Sequence, residues 1–167
     1  MATQRRQPFL SWTRRFAFVH QSACSSLKDQ AIGSSRGGKN TKIHVLINEK
    51  MHLLKVMLTG GHVHDSDPAL ALLSGIELGG KKILADKAYS CEQIRSFSAE
   101  HGAVACIPDK ANFKIKHDFD PELDKQRNLI ERFFQRIKNY HHISSHFDKL
   151  ALCFENFVLL AVSVIHF

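Results

Sequence analysis

Two carboxylates in this sequence stand where chemistry is expected. Asp86 closes the short apolar run KKILAD, and a carboxylate at the C-terminal edge of a buried strand sits where α/β sheets place their ligands. A turn or capping role competes for the same position. Glu131 lies in RNLIERFFQRIK, where Arg127, Glu131, Phe134 and Lys138 are four, three and four residues apart and share one side of a helix. That side borders the apolar stripe Ile130, Phe133, Phe134 and Ile137, which seats Glu131 beside the core. The plainer alternative is a solvated pair with Arg127 or Gln135. If the two carboxylates converge, their hard oxygens suit Mg²⁺ or Mn²⁺. Two such ions about 3.5–4 Å apart stabilise the attacking and leaving oxygens of phosphodiester chemistry.

A third stretch, GSSRGGKN from Gly33 to Asn40, is close to a phosphate-cradling loop. Such a loop must open a helix and end in a hydroxyl that holds Mg²⁺. Here TKIHVLIN follows, strand-like and β-branched, and Asn40 stands in the hydroxyl position. The segment therefore reads either as a flexible loop before a strand or as a backbone able to approach phosphates, with Arg36 and Lys39 as counter-charges. His62, His64 and Asp65 lack the further spacing of a metal set, and His141 and His142 read as solvated surface. The four cysteines form no C-x-x-C pair, which fits a reduced, cytoplasmic protein.

The elements that must position these residues are legible in outline. The 167 residues are 44% hydrophobic and 23% charged, enough for one domain with a real core. A net charge of +7 favours a polyanionic partner, nucleic acid above all. TKIHVLI and MHLLKVML, joined by NEK, predict a hairpin of buried strands. Asp65 or Ser66 can cap a helix over ALALLSGI, KKILAD is a strand, CEQIRSFSAEHG a helix stopped by Gly102, and AVACIP a further strand. A polar loop from Asp109 to Pro121 precedes the helix of Glu131. The run FVLLAVSVIHF is too short to span a bilayer and reads as a buried helix. Strands as a hairpin and then alternating with helices predict an α/β domain with a mixed sheet.

Four stretches carry a resemblance to a known family: QAIGSSRGGKNTKIH, LTGGHVHDSDPA, ILADKAYS and RNLIERFFQRIKNYHHISSHFDKLA. In this order they resemble the DDE transposases of bacterial insertion sequences. The resemblance implies a ribonuclease-H-like mixed sheet flanked by helices, with DNA as partner and Mg²⁺ or Mn²⁺ as cofactor. It implies Asp86 as the second catalytic Asp, Glu131 as the catalytic Glu, both as metal ligands, and Arg36, Lys39, Arg127 and Lys138 as DNA contacts. A nucleoid-associated place in the cytoplasm and a homodimer are further expectations.

The opening of the chain departs from this pattern. Residues 1–28 hold no Asp or Glu, and the register puts the family's first catalytic Asp near Thr13. Asp124 also stands where the family's signature has Tyr. Residues 1–19 are expected to be a divergent, out-of-frame segment of a truncated copy, with 20–167 as the catalytic domain and the first strand lost or altered. Three readings follow: a transposase domain that is incomplete and inactive, a non-catalytic DNA-binding or dimerising remnant, or a nuclease rescued by Asp29 or Asp65.

Overall fold

The computed structural model describes residues 8–24, 30–110, 117 and 120–166. At its centre is β1 (Phe9–Val19), FLSWTRRFAFV, whose side chains alternate between two cores: Leu10 and Trp12 enter one, Ala17 the other. It runs antiparallel to β3 (Gly38–Asn48), from Leu10↔Asn48 to Phe18↔Asn40. Its first half pairs in parallel with β5 (Lys82–Ala85), ending at Trp12↔Ala85, and its far end pairs in parallel with β7 (Ser145–His146). On the other side, β3 pairs antiparallel with β2 (Gly33–Ser35) and β4 (Leu53–Gly60), while β6 (Val104–Cys106) extends β5 in parallel. The result is a mixed sheet of order β2-β3-β1-β5-β6 with β4 beside β3, consistent with the ribonuclease-H-like class. The first strand is thus present and central; what is altered is its chemistry, since no acid lies on it.

Helices cover both faces. On one, α1 (Asp67–Leu73) and α2 (Glu92–Glu100) bury Ala69, Leu72, Leu73 and Ile94 against Leu10, Trp12 and Leu46. On the other, α4 (Asn128–Ile137) lays the stripe Ile130, Phe133, Phe134 and Ile137 on Ala17, Ile43 and Val45. The short α3 (Pro121–Asp124) and α5 (His141–Ser144) flank it, and α6 (Ala151–His166) packs alongside. Among the described residues no helix is long and apolar enough to cross a membrane.

Three details differ from the sequence reading. GSSRGGKN is not a flexible loop but a hairpin: Ser35 pairs with Gly38 across a tight turn at Arg36 and Gly37, and Gly38 takes φ 95°. Of the two candidates Asp65 and Ser66, Ser66 takes the N-cap position of α1, but without a side-chain cap bond; Asp65 is drawn into ion pairs described below. Only one side of α6 is buried: Phe154 and Val158 are enclosed, whereas Leu152 and Leu160 are 66% and 60% exposed. That helix is apolar around its circumference, so pattern alone could not say which side meets the sheet.

Asn40 fastens the hairpin to the sheet. Its Nδ2 donates to Gly38 O at 3.0 Å and to Ser35 Oγ, and it is almost wholly buried. A Cβ on Gly61 would stand 1.8 Å from Asn40 Oδ1, so glycine is required for the close approach. Gly61→Ala should lower unfolding stability by about 1–3 kcal/mol. Gly79→Ala, which meets nothing within 4 Å, should leave the urea midpoint nearly unchanged.

Candidate carboxylate site and its basic rim

The strand β5 stops at Ala85 because Asp86 turns the chain: its Oδ1 accepts the N–H of Lys87 at 2.7 Å and caps the 3-10 turn Lys87–Tyr89. Asp86 is therefore both the strand-edge carboxylate and a cap. One step beyond the last β1–β5 pair, Trp12↔Ala85, the neighbouring strand presents Thr13, which is buried. Alternation places Thr13 and Arg15 on the α4 side of β1.

Glu131, in the first turn of α4, meets that strand. Arg15 Nη2 donates to Glu131 Oε2 in a close ion pair, and the Arg15 guanidinium lies 5.8 Å from the centroid of the Phe134 ring. The pairing expected between Glu131 and Arg127 or Gln135 is replaced by this cross-element contact. Arg127 instead donates Nε–H to Asp124 Oδ1 at 3.0 Å. Burial acts to lower the pKa of Arg127, but the bond to Asp124 and the charges of Asp124, Asp86 and Glu131 carry it upward. Both candidate carboxylates thus act on one guanidinium. Lys138, exposed at the end of α4, lines with Arg15 and Phe134 a cleft of about 40 Å³. Arg36 and Lys39 are exposed on the β2–β3 hairpin, Lys39 Nζ lying 3.7 Å from Cys24 Sγ.

The other acidic candidates are spoken for. Asp65 Oδ1 lies 2.7 Å from Arg14 Nε, an ion pair without aligned hydrogen-bond geometry, and accepts from Lys42 Nζ at 2.9 Å. Arg14 leaves β1 on the side opposite Arg15, so Asp65 belongs to the other face of the sheet. Asp29 lies outside the described residues. His64 bonds Ser66 Oγ at 2.7 Å, and His142 is not merely solvated, since its Nε2 sits 2.6 Å from Asp148 Oδ2. Among the described residues no group of three His, Cys, Asp or Glu side chains is arranged to hold a metal ion. A divalent cation needs anionic oxygens that are free to reach it. Here a guanidinium holds Glu131, and Thr13 brings a neutral hydroxyl next to the strand end of Asp86. Thr13 thus leaves this corner of the sheet a carboxylate short, and Arg15 competes with a cation for Glu131.

The chain is similar to known proteins. A family model described as the transposase DDE domain matches residues 19–165. This chain belongs to the DDE transposase family. A putative transposase for insertion sequence element IS6501 from Brucella ovis is 33% identical over 126 residues, covering 75% of this chain and 96% of that protein. No solved structure matches. The family match includes Arg36, Lys39, Asp86, Arg127, Glu131 and Lys138. It begins at the last residue of β1, so Thr13, Arg14 and Arg15 lie outside it.

Sequence reasoning missed a buried pair on the opposite face of the sheet. His44 of β3 bonds Tyr89 Oη at 3.1 Å and Thr59 Oγ1 at 2.8 Å, and Tyr89 meets Trp12 edge-on at 5.6 Å. Its alternation with the buried Leu46 was the available signal. Burial above all pushes the His44 pKa down to about 4 and the Tyr89 phenol well above its usual range. Because the unfolded chain binds a proton that folded His44 refuses, stability is full above the ordinary pKa of 6.5 and falls toward pH 4. The loss is about 3 kcal/mol across that window. Urea midpoints measured from pH 7.5 to 4 should show this fall, and His44→Gln should flatten it.

Proposed function

We propose that this member of the DDE transposase family binds DNA through its basic surface while its strand-cutting and strand-joining chemistry is silent. The observation that carries the reading is the Arg15–Glu131 ion pair with Thr13 beside the strand end of Asp86. Phosphodiester cleavage needs a group that activates water and charge that stabilises the transition state. Arg15 neutralises Glu131, but a guanidinium keeps its proton at any physiological pH and cannot act as a base. Asp86 and Glu131 are then the remaining members of a catalytic and metal-holding set that is short of a carboxylate.

In this reading Arg36, Lys39, Arg127 and Lys138 contact DNA phosphates, and the net charge of +7 supports association with the nucleoid in the cytoplasm. Homodimerisation on paired DNA ends belongs to the same reading. Residues 1–19, which supply β1 without an acid, derive from a different reading frame; translation of the upstream nucleotides in the other frames should reveal an Asp-bearing version of the strand.

Duplex affinity should fall steeply with salt, and Arg36→Gln, Lys39→Gln and Lys138→Gln should each weaken it across all sequences and lower the log–log salt slope by about one. Mn²⁺ calorimetry should give the same heats for the native chain, Asp86→Ala and Glu131→Ala. Plasmid nicking in Mg²⁺ or Mn²⁺ that disappears in Asp86→Asn and Glu131→Gln would refute silence. Affinity indifferent to salt would refute the phosphate contacts.

A further inference from the structure

On the face of β1 opposite Glu131, Arg14, Phe16 and Phe18 follow one another at every second residue. The antiparallel register sets Lys42 beside Phe16 and Asn40 beside Phe18. The two rings are large apolar groups left in the open: Phe16 is 46% and Phe18 65% exposed. They are also in basic company. Arg14 Cζ lies 5.3 Å and Lys42 Nζ 5.8 Å from the centroid of the Phe16 ring. Both cations share a single carboxylate, Asp65, which leaves a positive balance; Lys42 is buried, with its Nζ also on Val63 O, so Arg14 is the cation that reaches the surface.

We propose that this sheet face is a platform for single-stranded DNA, on which Phe16 and Phe18 stack two successive bases and the partly exposed Arg14 holds a neighbouring phosphate. The inference rests on the reading that the chain binds DNA, but it concerns a different face from the carboxylate site. Alternate residues of one strand stand about 6.7 Å apart, roughly twice the 3.4 Å step between bases within a duplex strand. Rings at that spacing suit bases that have left each other's stack, and only unpaired bases offer an open π-face. Exposed aromatics beside a partly exposed arginine, backed by the buried Lys42, match a nucleic acid, whose bases are flat and whose backbone is anionic; a purely apolar protein surface would leave the surplus positive charge unanswered.

The test is fluorescence anisotropy of the full chain with a labelled 12-nucleotide single strand, and with a duplex of the same length. Phe16→Ala and Phe18→Ala should each weaken single-strand binding by roughly 5- to 100-fold, with duplex affinity changed less than about two-fold. Phe16→Tyr and Phe18→Trp should retain single-strand affinity, whereas Phe18→Leu, apolar but without a π-face, should behave like Phe18→Ala. Because Phe18 is mostly in solvent, these variants leave the core intact. The proposal is overturned if the native chain does not bind the single strand, if the alanine variants bind it unchanged, or if Phe18→Leu keeps full affinity. It is equally overturned if sedimentation shows that Phe18→Ala separates a dimer while single-strand affinity stays the same, because the face then serves a second copy. Failure of duplex binding alone removes the phosphate-contact reading above and leaves the ring-dependent single-strand result to stand or fall separately.

Discussion

The strict two-residue alternation of β1, bonded along both edges, is the constraint from which the rest of the molecule follows. Trp12 is fully buried against Tyr89, which fixes which side of the strand faces α1 and α2. Once Trp12 is placed, Arg14 must reach Asp65, and Thr13 and Arg15 must face α4. A slip of one residue would send Trp12 to the wrong core and exchange the partners of the two arginines, so the core sets the electrostatics of the site. Hydrogen bonds to β3 along nine register pairs and to β5 along four hold that register.

Ion pairs of the same formal type have different consequences here. The side chains of Arg15 and Glu131 are 43% and 39% exposed, so their pairing is worth little to stability, of order 0–1 kcal/mol. Its importance is chemical, because it occupies a carboxylate. Arg95 and Asp109 are 9% and 14% exposed and sit inside a network. Arg95 donates to Ile107 O at 2.7 Å, and Asp109 accepts the His117 N–H at 2.7 Å, a backbone bond that is the leading cause of its lowered pKa. That network anchors the chain leaving β6 and so helps set the approach to α4. Removing one partner from it would strand a buried charge, which is the costly case.

The C-terminal segments are tied to the sheet in a comparable way. His146 of β7 bonds Thr41 Oγ1 at 2.8 Å and stacks on Phe154 of α6 at 4.1 Å. Burial lowers its pKa, as it does for His44, so two histidines are held neutral on opposite sides of the sheet. The core of this chain is therefore closed by neutral imidazoles on both faces of the sheet.

Much of the fold was legible because it rests on local pattern. The β3–β4 hairpin, the strands ending at Asp86 and Cys106, and the stripe on α4 follow from period-two and period-3.6 burial, which one chain segment specifies by itself. The family was legible because its motifs lie in continuous stretches. What the sequence determined is therefore the inventory: the elements, the two carboxylates, the basic residues and the lack of an acid before Asp29. The tertiary structure alone decided how that inventory is used. It showed that an acid-free segment still forms the central strand, that Arg15 takes Glu131, that two cations claim Asp65, and that Phe16 and Phe18 are left open. Those outcomes join residues far apart in the chain, Arg15 and Glu131 being separated by 116 positions. Contacts at that range depend on strand register and helix placement, which no local pattern encodes.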